Sequence, residues 1–173
     1  MKKNKYLCML AALIITFPAC SQNFKTDDIN NPLGTAYIEK EINKTEGYIK
    51  TNNYEEAEKL INSIKDWVFD ATEHHTELFM TLRKVEKAQN QAEIERKLAI
   101  KFASFRDKVL FTQAQIFIHK GETRKAVDNL VEIVRSQPDS ELGFQSYNKL
   151  IELGFTYGVD SIEVKSKVIE HAE

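Results

Sequence analysis

With 173 residues carrying 24 basic and 26 acidic side chains, the chain is long enough for one domain with a real core, and its charge balance does not argue for nucleic acid, which wants a basic face. Three prolines and six glycines are too few for the many turns of an all-β fold and favour long helices instead. The two cysteines, Cys8 and Cys20, form neither a disulfide framework nor a paired metal-ligand motif.

The chain opens with Lys2, Lys3 and Lys5, followed by an apolar run from Tyr6 to Phe17 and then Pro18, Ala19 and Cys20. That order is predicted to be an export signal over residues 1–19. The run falls short of the roughly 20 residues that span a bilayer, so cleavage is expected rather than permanent insertion. The Ala19-Cys20 junction resembles the lipobox of bacterial lipoproteins, although Phe17 stands where leucine is usual and Pro18 where a small residue is usual. The resemblance implies cleavage before Cys20 and acylation of its thiol. Cys8 leaves with the leader, so Cys20 is then the one remaining cysteine. Loss of three lysines leaves 21 basic against 26 acidic residues, a mildly acidic body in which the lipid supplies the membrane affinity.

Residues 20–35 form the expected tether: Ser21 to Thr35 is polar, contains Asn-Pro and a glycine, and has no periodicity. As a flexible linker it would hold the domain about 20 Å from the membrane surface. The helical domain is expected over 36–173. Ile38, Ile42, Tyr48 and Ile49 mark a first helix. Asn53 with Glu56 forms a capping box for a second, whose apolar face is Ala57, Leu60, Ile61, Ile64 and Trp67.

Two further boxes, Asp70 with Glu73 and Asn90 with Glu93, predict helices bearing Leu78, Phe79, Leu82 and Val85, then Ile94, Leu98 and Phe102. No glycine or proline occurs between Asn90 and Lys120, and Ile94, Phe105 and Ile116 recur every 11 residues. The expectation is therefore either a kink near Ser104 to Asp107 or one continuous central helix of about 30 residues and 45 Å. Charge is uneven here: Thr26 to Leu82 holds 12 acids and 5 bases, whereas Arg83 to Lys108 holds 8 bases and 4 acids. Such a positive stretch either docks an acidic partner or is a solvated helix face.

The stretch Asp107 to Ser140 reads as one complete helical hairpin. Leu110, Ala114, Phe117 and Ile118 face one way, Gly121 ends that helix, Ala126, Leu130, Ile133 and Val134 form the next, and Pro138 stops it. Ser140 then caps a helix with Leu142, Phe144, Tyr147, Leu150 and Ile151. Gly154 and Gly158 loosen the chain, and Asp160 with Glu163 caps a last helix carrying Ile162, Val164, Val168 and Ile169 as a terminal cap.

The combination Ala114, Phe117, Gly121, Ala126 and Pro138 resembles the tetratricopeptide repeat, and Tyr54 with Ala57 resembles a second, partial copy in which Asn52-Asn53 replaces the glycine and Phe69 the proline. Ala57, Ala92 and Ala126 are spaced by 35 and 34 residues, close to the repeat period. An ordinary helical hairpin would want glycine and alanine in the same places. The resemblance implies an all-α fold of antiparallel helical hairpins stacked as a short solenoid. It also implies a groove formed by the first helices of each pair, toward which Lys108, Phe111, Gln115 and His119, Ile42 and Glu46, and Gln145 and Lys149 would turn. The Lys-and-Asn clamp that holds chaperone tails in some relatives is absent, since Ile42 and Glu46 fill the corresponding places.

No phosphate loop, nucleophile elbow or nucleophile-base pair is present, so neither catalysis nor a cofactor nor a small-molecule substrate is expected. His74 and His75 are adjacent and point about 100° apart, Glu73, His74 and Glu77 make at most a weak surface metal site, and His119 suits a helix carboxyl terminus. The expected function is protein-protein adaptation at the cell envelope, with a membrane tether through Cys20 and a protein or peptide in the groove. The rival expectation is a structural subunit of an envelope assembly.

Overall fold

In a computed structural model the described residues are 29–155, and every regular element among them is helical. Helix α1 spans Thr35–Lys50, α2 Tyr54–Leu82, α3 Gln89–His119, α4 Thr123–Ser136 and α5 Glu141–Glu152, with one 3-10 turn at Glu86–Ala88 before α3. The expected export signal, Cys20 and the helix expected after Asp160 lie outside the described residues.

Successive helices run antiparallel. Trp67 donates its indole N–H to the Leu33 carbonyl at 3.3 Å, so α1 starts beside the middle of α2. Gln113 donates to Asn62 at 2.9 Å and His75 Nδ1 lies 2.6 Å from Glu95 Oε2, which pairs α2 and α3 head to tail along their length. Asn129 reaches the Leu110 carbonyl and Ser136 reaches Asp107, laying α4 back along the second half of α3. Helix α5 packs on α4 and α3.

The larger core lies between α1, α2 and α3. Ile38, Ile42, Ile61, Ile64, Val68, Phe102, Phe105, Val109 and Ile116 are all buried there. Phe102 is its hinge point: its ring meets Trp67 edge-on at 6.5 Å, Phe105 edge-on at 5.9 Å and His75 face-on at 5.2 Å. Side chains of this size contribute roughly 1.5–3 kcal/mol each on full burial, so the cluster fixes how α2 lies on α3. A smaller cluster of Ala114, Ala126, Leu130 and Leu150 joins α3 to α4 and α5.

Turn chemistry follows the sequence at three places. Gly121 adopts φ +74° and its N–H reaches the Ile118 carbonyl at 3.1 Å, ending α3 in the left-handed conformation that glycine tolerates. Helix α4 ends two residues before Pro138, and the Ser140 hydroxyl accepts from the Gly143 amide at 2.9 Å. The central helix is continuous over 31 residues, the unbroken alternative that the 11-residue recurrence allowed.

Other expectations are overturned. No helix begins at Asp70, because α2 passes through it without a break, and none begins at Asn90, because α3 starts at Gln89 with no side-chain cap. A cap contributes only about 1 kcal/mol, whereas continuing α2 keeps Val68 and Ala71 in the core opposite Phe102. Glu93 turns to Arg96, 2.8 Å away, rather than back to Asn90. Asn53 does precede the second helix, but its side chain makes no cap bond.

The continuity of α2 has an architectural consequence. Beyond the Trp67–Phe102 level neither α1 nor α4 continues, so the ends of α2 and α3 extend as a two-helix hairpin, covered by no other helix among the described residues, with its turn at Arg83–Ala88. From Trp67 to Leu82 this extension is about 22 Å at 1.5 Å per residue. Ala92 is buried within it rather than at a crossing equivalent to those of Ala57 and Ala126.

Candidate functional site

The second half of α3 is covered on two sides. Val109 and Ile116 enter the α1–α2 core, while Ala114 packs toward Ala126 and Leu130 of α4. The remaining side presents Ser104, Lys108, Phe111 and Gln115 at spacings of three and four, which is one helical stripe. Helices α1 and α5 flank that stripe and convert it into a groove of about 530 Å³. Glu46, Ile49 and Lys50 form the α1 wall; Glu141, Leu142 and Gln145 form the α5 wall.

Helix α5 is held close by its first turn. The Ser140 hydroxyl donates to the Gln137 carbonyl at 2.9 Å while accepting from Gly143, and a Cβ on Gly143 would sit 2.1 Å from that same carbonyl oxygen. The absence of a side chain at 143 is therefore what lets α5 approach α4 and places Leu142 and Gln145 on the groove.

Asp107 supports the groove from behind. Its side chain is 1 % exposed, its Oδ1 accepts from Arg106 Nη2 at 2.9 Å and Nε at 3.1 Å, and its Oδ2 accepts from the Ser136 hydroxyl at 2.9 Å. Both oxygens are thus held by internal donors, which makes this carboxylate a brace between α3 and the end of α4.

Chemically the groove is an apolar floor of Ile49, Phe111 and Leu142 rimmed by balanced charges, Lys50 and Lys108 against Glu46 and Glu141, and by the amides of Gln115, Gln137 and Gln145. Gln145 donates to Glu141 at 3.2 Å. No histidine or cysteine lines it, and among the described residues no group of three potential metal ligands converges. Amides that both donate and accept along an apolar strip suit an extended polypeptide, whose backbone needs both kinds of partner.

Of the residues singled out from sequence, Lys108, Phe111, Gln115, Glu46 and Gln145 come together here. Three do not. His119 ends α3 with its ring stacked on Tyr54 at 3.7 Å and 10° between planes, which places it at the α1–α2 turn. Lys149 reaches Glu152 one turn along α5 instead. Ile42 is 1 % exposed in the core and offers no surface. Ile49 and Leu142, which the sequence marks only as apolar helix positions, and Lys50 join the groove as well, and Lys50 lies four residues after Glu46 and so extends the same stripe. Cys20 lies outside the described residues. Against known proteins, the chain matches no family model, no curated protein and no solved structure.

Proposed function

We propose that this chain is a lipid-tethered adaptor of the cell envelope that holds an extended protein segment in the groove of α1, α3 and α5. The observation that carries the reading is the convergence of three parallel, non-consecutive helices on one amide-rimmed apolar strip. A tetratricopeptide-like arrangement is supported by α1 with the first half of α2 and the second half of α3 with α4 as two hairpins, α5 opening a third. Ala57 and Ala126 are both fully buried at the start of the second helix of each hairpin, and they lie 69 residues apart, twice the repeat period. In this reading the projecting ends of α2 and α3 stand where a middle unit would otherwise stack.

Membrane attachment falls to acylated Cys20, a reading that the lysine-rich start, the short apolar run and the Ala19-Cys20 junction support. No helix among the described residues is long and apolar enough to cross a membrane. Mass spectrometry of the processed protein tests this step: an unmodified Cys20 or a start elsewhere removes the tether. A photo-crosslinking amino acid at position 115, compared with one at exposed position 59 on α2, tests the groove in the native envelope. A defined adduct at 115 and none at 59 is expected; equal labelling at both rejects the groove.

One observation favours the rival reading of an assembly subunit. Phe144, Tyr147 and Ile151, at spacings of three and four along α5, and Phe155 just after it are 43–60 % exposed. A processed chain that is monomeric and melts cooperatively alone supports the adaptor; obligate association without a partner supports the subunit.

A further inference from the structure

Eleven large hydrophobic side chains are exposed among the described residues, and Leu78, Met80 and Val85 of these cluster at the end of the α2–α3 hairpin. Arg83, Lys84 and Lys87 stand among them with Glu86 as the one acid between positions 78 and 92. Several charges elsewhere are paired, although others, Lys40, Lys59 and Arg124 among them, are in no ion pair among the described residues either. Glu93 is taken up by Arg96 and Lys97, Glu95 by His75, and Lys101 and Lys120 are bound to Glu39 and Glu58. None of Arg83, Lys84 or Lys87 has an ion-pair partner among the described residues; Arg83 lies instead over the Phe79 ring and against the Met80 sulfur.

The tip also shares an end of the molecule with the amino-terminal side of the domain. Leu33 is bonded to Trp67, α1 runs away from that point, and α2 continues from it toward the tip. The expected tether would therefore join the domain at that same end, and the tip lies about 22 Å beyond Trp67. We infer that the hairpin tip, Leu78, Met80, Arg83, Lys84, Val85 and Lys87, rests on an anionic bilayer surface, its apolar side chains entering the headgroup layer and its basic ones pairing with lipid phosphates. The inference rests on the tethered reading above, and it turns the bare hairpin into a spacer that holds the groove off the membrane. Apolar and unpaired basic groups on one tip match such a surface.

The test separates the two readings by supplying the anchor chemically. The chain from Cys20 to Glu173 is coupled through its single thiol to a maleimide lipid in vesicles, so anchoring no longer depends on acylation in the cell. Val85→Trp adds an indole at the tip, and the unsubstituted chain, with Trp67 alone, is the reference. In vesicles of phosphatidylcholine with phosphatidylglycerol, the added indole should shift to the blue and be quenched by brominated acyl chains, while Trp67 is not. Each basic residue near an anionic surface contributes about fivefold in partitioning. Val85→Trp combined with Arg83→Glu, Lys84→Glu and Lys87→Glu should therefore lose the quenching, as should the single variant on phosphatidylcholine alone. An added indole as water-exposed with anionic vesicles as without them overturns the inference, and so does a shift that depends on protein concentration rather than lipid, which would assign the tip to a second copy. All four positions are exposed, and unchanged helix content by circular dichroism verifies that the variants fold. An unmodified Cys20 in the natural protein would remove the tether reading and leave the vesicle result standing.

Discussion

Replacing Gly143 with alanine tests the packing that closes the groove, because two physical effects oppose each other there. In an exposed helix, alanine stabilises relative to glycine by about 1 kcal/mol. At 143 the new Cβ would lie 2.1 Å from the Gln137 carbonyl oxygen and 3.2 Å from both the Gln137 carbonyl carbon and the Pro138 oxygen. All three neighbours are backbone, and the Gln137 oxygen already accepts from the Ser140 amide at 3.1 Å and the Ser140 hydroxyl at 2.9 Å. It cannot retreat without breaking the α5 cap, so α5 must move by more than an ångström. Overpacking of this kind costs roughly 1–3 kcal/mol, and the propensity gain offsets only part, leaving a net loss of about 1–2 kcal/mol. For a domain of this size that is a fall in melting temperature of about 3–8 °C. Thermal and urea melts by circular dichroism measure it. A Gly143→Ala variant as stable as the parent, or more so, would refute the close approach and with it the placement of Leu142 and Gln145.

Gly47→Ala, in an exposed helix position with nothing within 4 Å of the new methyl, should instead raise stability by about 1 kcal/mol in the same melts. Gly121→Ala meets no atom either, but its φ of +74° should cost roughly 1–2 kcal/mol. Ala126→Leu, at a fully buried crossing of α4 on α3, should lose roughly 1–3 kcal/mol; parental stability would mean that the crossing is loose. Phe111→Ala should lower both stability and crosslinking at position 115, since Phe111 packs on the smaller cluster and floors the groove, whereas Lys108→Glu should lower crosslinking alone. With pH, the Arg96 hydrogen bond holds Glu93 below the usual carboxylate range and the Lys125 bond does the same for Glu122, so their contribution is present at neutral pH and lost on acidification through those lowered values. Lys120, raised by the hydrogen bond it donates to Glu58, contributes below the ordinary lysine range and loses that as pH rises through its raised value; Lys120→Met should flatten the alkaline arm of a melting-temperature profile.

The punctuation legible in the sequence was the kind that acts within a few residues. Gly121, Pro138 and Ser140 change backbone chemistry directly, and each ends or starts a helix where its own atoms require it. The groove stripe was legible for the same reason, since Lys108, Phe111 and Gln115 share a face by spacing alone. What failed depended on distant partners. Asp70 and Glu73 have the right residues for a cap, yet the local gain is smaller than the core packing that an unbroken α2 secures against Phe102. His119 shares its stripe with Gln115, but Tyr54, on another helix, draws its ring away. Gly143 drew no notice because its requirement is the Gln137 carbonyl across the α4–α5 turn.

The lost break at Asp70 also bears on function. Had α2 stopped there, residues 70–107 could have folded back as a compact hairpin; unbroken, α2 and α3 run on about 22 Å beyond Trp67, covered by no other helix among the described residues. The groove, whose α1 wall is Glu46 to Lys50, lies on the opposite side of the Trp67–Leu33 contact from the tip. If the tip rests on lipid, the groove stands clear of the bilayer by at least the hairpin's length. Three basic residues and a few apolar side chains are too weak to recruit a free protein, but a short lipid tether at Cys20 would keep the tip at high effective concentration near the surface. Tether and tip would then divide the work. The acyl chains would keep the domain at the membrane, and the tip would fix which way the groove faces.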